Sequence, residues 1–128
     1  VQSHLGGPFD GFDPDPDAWQ RFLEAVTSLG YELVITELDV ADDGLPADIA
    51  TRDAQVASFA KRYLDQMLGF RQVKDVVVWG LVDKYSWVSS SLPRADHLPP
   101  RPTLFDSNFR PKPLYDALRS AFRSSPHR

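Results

Sequence analysis

Residues 32–38 read ELVITEL and residues 73–81 read VKDVVVWGL. Both stretches are short, rich in β-branched side chains and nearly continuous in apolar character. That is the pattern of strands covered on both faces, not of strands alternating between core and water. Helical spacing surrounds them. Ahead of the first, Asp15-Pro16 supplies an N-cap and a proline for the first turn. Trp19, Phe22, Leu23, Val26 and Leu29 then recur on one helical face, and Gly30 ends it. After it, a loop with Asp42-Asp43-Gly44 and Pro46 leads to a second helix predicted over 53–68. Its apolar stripe is Val56, Phe59, Ala60, Tyr63, Leu64 and Met67, with Gly69 as the stop. Val1 to Leu5 looks like the end of another strand, and Pro113 opens a last helix bearing Leu114, Tyr115, Leu118 and Phe122. Repeated βα units with apolar strands imply a parallel α/β sheet.

Two features complicate that reading. Residues 82–111 hold five serines and five of the eleven prolines, and predict an irregular loop of a length usually kept for function. Three parallel strands also leave two edges and one face uncovered. The chain therefore reads as part of something larger. Helices are expected on one face of the sheet, with Ile35, Val77 and Trp79 on an open, apolar opposite face.

Composition narrows the function. The 128 residues suit one domain, and 3 Trp, 8 Phe and 4 Tyr supply too much apolar area for a disordered chain. Lys and Arg number 14 against 18 Asp and Glu, which argues against nucleic acid as a partner. The basic stretch from Arg119 to Arg128 reads as the frayed end of the last helix. No stretch approaches the roughly 20 apolar residues of a membrane span. The absence of cysteine removes disulfides and thiolate chemistry. His4, His97 and His127 are scattered without metal-ligand spacing, so no metal is expected. Asp10-Gly11-Phe12-Asp13 and Asp42-Asp43-Gly44 read as turns before they read as calcium loops.

In parallel βα proteins, reactive side chains gather at the C-terminal ends of strands. Three groups fall there: Gln2-Ser3-His4-Leu5, Thr36-Glu37-Leu38-Asp39, and the run from Trp79 to Trp87. Alternation along a strand predicts Ile35, Glu37 and Asp39 on one face and Thr36 and Leu38 on the other. A carboxylate near the interior costs several kcal/mol unless it is paired or works. His4 on a neighbouring strand end could orient Glu37, and Asp39 could fix the histidine tautomer or its charge. Taken singly, each residue has an ordinary structural reading: a capping carboxylate pair, a structural histidine, a core tryptophan. Gathered at successive strand ends, they mark a site.

QSHL at 2–5, VITELDV at 34–40, VVVWGLVDKYSW at 76–87 and LFDSNFRPKPLYDAL at 104–118 together resemble glycoside hydrolase family 10. That family consists mainly of endo-1,4-β-xylanases. The resemblance runs over nearly the whole chain in the family's order. It implies the C-terminal portion of a TIM (β/α)8 barrel, strands six to eight with their helices, and makes residues 1–128 a partial catalytic domain. Position by position it implies Glu37 as catalytic nucleophile, His4 as the histidine bonded to it and Asp39 as the acid completing the network. Gln2, Trp79 and Trp87 fall to substrate binding; Lys84 and Tyr85 receive no role. Thr103 stands where the family often has leucine. The implied substrate is xylan or xylo-oligosaccharide, with no cofactor, and the parent enzyme is expected to be secreted or periplasmic, without a signal peptide in this chain.

One requirement is missing. A retaining glycosidase uses two carboxyl groups about 5–5.5 Å apart. The chain has only Glu24, Glu32 and Glu37. Glu24 lies within the first helix, and Glu32 starts its strand at the end away from the site. The family's acid/base belongs to an Asn-Glu pair on strand four, and no such pair occurs here. The isolated chain is thus expected to be inactive. It is either a truncated piece of a xylanase or a partial barrel that self-associates or awaits its N-terminal portion. A non-catalytic carbohydrate-binding module is the alternative from a different class.

Overall fold

The computed structural model describes residues 1–8, 10, 12 and 15–126. A parallel sheet of β1 (His4–Leu5), β2 (Leu33–Val40) and β3 (Val73–Val78), in that order, carries α1 (Pro16–Ser28) and α2 (Ile49–Leu68) in its connections. A 3-10 turn (Asp83–Tyr85), α3 (Val88–Ser91) and α4 (Pro113–Ser124) follow β3. The core lies between the sheet and the helices. Leu23 of α1, Ile35, Leu38 and Val40 of β2 and Val73 of β3 meet Val56, Ala60, Leu64 and Met67 of α2, with Leu114 and Ala121 of α4 in the same cluster.

Local chemistry sets the helix starts. The Asp15 carboxylate accepts the Ala18 N–H at 2.8 Å ahead of Pro16, capping α1 as expected. Of the stripe predicted for α1, Leu23 is fully buried, whereas Phe22 and Leu29 are exposed. Helix α2 begins at Ile49, four residues before the predicted Asp53, because Asp48 caps it through the Thr51 N–H at 2.8 Å. Strand β3 ends at Val78 and not at Leu81. Gly80, at φ +98°, turns the chain away in a conformation that disfavours any side chain.

The alternation expected for β2 does not hold through its middle. Thr36 N–H donates to Val1 O and Glu37 N–H to Gln2 O, both at 2.9 Å. Two successive N–H groups turned to one neighbour form a bulge, and the register with β3 slips in the same place, between Ile35 and Leu38. The slip lets Leu33, Ile35, Leu38 and Val40 all enter the helix-side core. Glu37 and Asp39 are thereby set on the helix-free face, opposite Ile35. Since Ile35 is 0% exposed, the open face holds Val77 and Trp79, at 48% and 46% exposure, but not Ile35.

The segment 82–111 is more ordered than an irregular loop. Besides the 3-10 turn and α3, Phe105 bridges Val82 in parallel and Pro111 in antiparallel fashion. Buried charges pin the rest. Arg101 forks onto Asp53 of α2 at 2.7 and 2.6 Å and gives its backbone N–H to Asp42 at 3.1 Å. Asp42 is wholly buried beside Arg52 and Arg94, so its carboxylate serves arginines and not a calcium loop. Burial pushes the Asp42 carboxyl above its usual range, against the pull of Arg52. Asp10 accepts the N–H groups of Gly6 and Phe12, both at 2.7 Å, while Gly11 and Asp13 of that turn lie outside the described residues, as does His127.

Arg94 gives a pH prediction. It holds Asp96 at 2.9 and 2.5 Å while its other donors reach the Asp42 and Leu45 carbonyls. Hydrogen bonding from Arg94 draws the Asp96 carboxyl from 3.8 down to about 2. A carboxyl lowered on folding stabilises above its unfolded value and loses that contribution as pH falls through the folded one. The melting-temperature gap between the parent and Asp96→Asn should be full at about pH 5 and nearly closed at about pH 2. Thermal melts showing the same gap at both values would refute the pairing.

Candidate active site

The site begins with an unusual backbone. Ser3 sits at φ +71°, a conformation costing a non-glycine residue about 1–2 kcal/mol. Its hydroxyl is locked against the Tyr63 hydroxyl of α2 at 2.5 Å, in a buried contact. Burial raises the Tyr63 phenol to about 12, so it stays a neutral hydrogen-bonding group. Just beyond, Gly6 approaches β2 so closely that a Cβ would stand 2.5 Å from the Ala41 carbonyl oxygen. Between these two fixed points β1 pairs His4 with Asp39 in register.

His4 then bridges two carboxylates. Its Nε2 lies 3.1 Å from Glu37 Oε2 and its Nδ1 2.8 Å from Asp39 Oδ1. Gln2 Nε2 donates to the other Glu37 oxygen at 3.4 Å. Trp87 reaches in from the start of α3, donating its indole N–H to Asp39 Oδ2 at 2.6 Å and meeting the His4 ring edge-on at 4.9 Å. The side chains of His4 and Glu37 remain 14% and 23% exposed, whereas Asp39 is 2% exposed. Burial pushes the Asp39 carboxyl up, opposed by its bonds to His4 and Trp87. The β2 bulge makes this possible, since without it Glu37 would point the same way as the core residue Ile35.

Five of the six residues singled out in the sequence are thus brought together: Gln2, His4, Glu37, Asp39 and Trp87. Trp79 stands apart from these hydrogen bonds, one residue beyond β3, with its backbone N–H on Leu38 O at 2.9 Å and its indole open to solvent. The other two glutamates are elsewhere. Glu24 bonds Gln20 along α1, and Glu32, one residue before β2, pairs with Lys74. Among the described residues no three His, Asp or Glu side chains are grouped to hold a metal ion.

Sequence reasoning missed the layer beneath the site. Ser3 and Tyr63 are 60 positions apart, and no local pattern links them. Below the end of β3, buried Asp83 accepts from Lys112 Nζ at 2.9 Å, and from the Thr103 N–H and hydroxyl at 3.0 and 2.9 Å. Thr103, notable in the sequence only as a substitute for leucine, supplies two of these bonds.

Ionisable and aromatic side chains collected towards the C-terminal ends of parallel βα strands place this chain among α/β proteins whose sites lie at that end of the sheet. The chain belongs to glycosyl hydrolase family 10, whose family model, Glycosyl hydrolase family 10, matches residues 1–121. Endo-1,4-beta-xylanase 2 of Aureobasidium pullulans is 32% identical over 129 residues, covering 97% of this chain and 34% of that protein. A thermostable celloxylanase of Thermoclostridium stercorarium is 30% identical, over 91% of this chain and 30% of the relative. Native xylanase 10B of Thermotoga maritima superposes with a TM-score of 0.77 at 29% identity, covering 95% of this chain and 35% of that structure. The chain spans about a third of the length of these relatives.

Proposed function

We propose that residues 1–128 are strands six to eight, with their helices, of a retaining endo-1,4-β-xylanase barrel, and that Glu37 is its nucleophile. The observation that carries this reading is the clamp on Glu37. One carboxylate oxygen faces His4 Nε2 and the other receives Gln2, while Asp39 and Trp87 hold the histidine in turn. Donors aimed at a carboxylate fix its direction of attack, as a nucleophile requires. Attack on the anomeric carbon breaks the glycosidic C–O bond, whose oxygen leaves as an alcohol protonated by a general acid, and gives a covalent glycosyl-enzyme; water, deprotonated by that same group, then hydrolyses it with net retention. Trp87 and the solvent-exposed Trp79 offer flat apolar faces to pyranose C–H groups, while Gln2 offers an amide to hydroxyls. A pure carbohydrate-binding module has no use for an oriented carboxylate, which speaks for the enzyme over the binding alternative.

The substrate of the completed barrel is xylan or xylo-oligosaccharide, in keeping with the xylanase relatives and with the similar xylanase 10B of Thermotoga petrophila, solved in complex with xylobiose. The general acid/base is not among these 128 residues. Glu24 and Glu32 are committed elsewhere, and an Asn-Glu pair from another strand must supply it. Lack of a general acid alone lowers the rate by about 10²–10⁴. The chain alone is therefore expected to release no measurable reducing sugar from xylan. Joined in frame to the complementary strands of a family 10 relative, it is expected to turn over. Turnover by the chain alone that disappears in Glu37→Ala would overturn the missing-acid argument, and a folded but inactive joined protein would overturn the xylanase reading.

A further inference from the structure

We propose that Trp87 is a positioning residue whose indole N–H keeps Asp39 as a carboxylate and thereby keeps the second proton of the site on His4. Beyond an aromatic surface for sugar, this gives Trp87 a second task. Both the position of the proton and its catalytic consequence rest on the reading of Glu37 as the nucleophile.

The reasoning is a count of protons. His4 makes two contacts of hydrogen-bond length, to Glu37 Oε2 and to Asp39 Oδ1, and each needs one proton. A neutral imidazole carries only one N–H. Three arrangements satisfy both contacts. In the first, an imidazolium donates to two carboxylates. In the second, neutral His4 donates from Nε2 to Glu37 and accepts at Nδ1 from a protonated Asp39. In the third, neutral His4 donates from Nδ1 to Asp39 and accepts at Nε2 from a protonated Glu37, which the role of nucleophile excludes. All three hold the same number of protons and the same total charge, so pH does not select among them. Between the first two, the bonds around Asp39 must.

Those bonds oppose the burial. At 2% exposure, Asp39 is in surroundings that favour the protonated form. The charged groups acting on it are His4 and Glu37, and Gln2 on the other side of Glu37 is neutral. Trp87 is the counterweight. Indole N–H is a donor only, and it meets Asp39 Oδ2, the oxygen that His4 leaves free, at 2.6 Å. A hydrogen bond to a carboxylate is about twice as strong as one to a neutral acid. The backbone leaves the trio little slack, because His4 and Asp39 are register partners in the sheet. With its proton on Nδ1 and a second on Nε2, His4 is both a donor and a positive charge beside Glu37, and the carboxylate is aimed by it. With the proton on Asp39, only a neutral donor remains.

Ring nitrogen-15 NMR of His4 in the 128-residue chain tests this near neutral pH, with the signal assigned by its loss in His4→Gln. The parent should show both ring nitrogens protonated. In Trp87→Phe, which keeps an aromatic ring and removes the N–H, the ratio of doubly to singly protonated His4 should fall about tenfold. Trp79→Phe should leave that ratio unchanged. An unaltered His4 spectrum in folded Trp87→Phe would overturn the proposal. If that variant does not fold, Asp39→Asn decides, since its amide donates to Nδ1 as a protonated Asp39 would. Conversion of Nδ1 from a protonated to an acceptor signature supports the proposal, and a spectrum like the parent's sinks it. Failure of the xylanase reading would appear separately, as a joined protein without turnover whose His4 spectra still follow this pattern.

Discussion

Glu37→Gln, placed in this chain joined to complementary family 10 strands, is expected to lower kcat on xylan by about 10⁴-fold or more. The substitution keeps shape and size and removes only the negative oxygen that would form the glycosyl bond. Without it the displacement has no first step, and water lacks a base on that face. Folding should be untouched, with a change within about 1 kcal/mol, because Glu37 keeps contact with solvent and its amide still meets Gln2 and His4. KM should move much less than kcat, since the substitution leaves Trp79 and Trp87, the proposed sugar-binding surfaces, in place. Steady-state kinetics on a soluble xylo-oligosaccharide separate the two. A loss of under about a hundredfold would mean that Glu37 orients water or substrate and is not the nucleophile.

How far the sequence reaches can be argued residue by residue. The two full strands are legible because β-branched runs bounded by glycine and loop residues have few other uses. The helix stripes are legible because α2 buries Val56, Ala60, Tyr63, Leu64 and Met67 at the predicted spacing. His4, Glu37 and Asp39 stand out through their position at strand ends, strengthened by the resemblance of their motifs. Alternation alone, however, assigns Glu37 the face of Ile35. A bulge adds one residue to one side of a pair, and nothing in VITELDV marks where it falls. The first turn of α2 is hidden for another reason: its apolar stripe starts at Val56, so only the Asp48 cap shows where the helix begins. Residues 82–111 look irregular because their order comes from distant charges. Arg101 meets Asp53 across 48 positions and Lys112 meets Asp83 across 29. Periodicity reads neighbours, and it has no access to such pairs. Trp87 is the sharpest case. A tryptophan in a sequence announces apolar area, whereas the single N–H that binds Asp39 becomes visible only when the two side chains meet.

Lys112→Met carries the largest expected loss of stability, about 3–5 kcal/mol. Lys112 is 4% exposed and Asp83 is 3% exposed, and both lie beneath the strand end that leads into Trp87. Burial pushes the Lys112 ammonium below the ordinary lysine range despite the attraction of Asp83, so the intact pair is no great net source of stability. The damage comes from breaking it. Methionine fills similar space but leaves Asp83 Oδ1 with only the two Thr103 donors, and Asp83 Oδ2 already has no hydrogen-bond partner among the described residues. Arg101, at 4.0 Å from Oδ2, is the nearest remaining cation and is engaged with Asp53. The bond from Lys112 to the Arg101 carbonyl at 2.6 Å is lost as well, freeing the loop on that side. Against a typical total stability of about 5–15 kcal/mol, such a loss brings the chain close to unfolding. The mechanism has its own signature. Asp83→Asn combined with Lys112→Met removes the stranded charge, so the double variant should be more stable than Lys112→Met alone, with a strongly non-additive coupling. Denaturant unfolding of the parent, both single variants and the double variant measures it. Simple additivity, or a cost for Lys112→Met below about 1 kcal/mol, would show that the loop over β3 is held by packing and not by this buried pair.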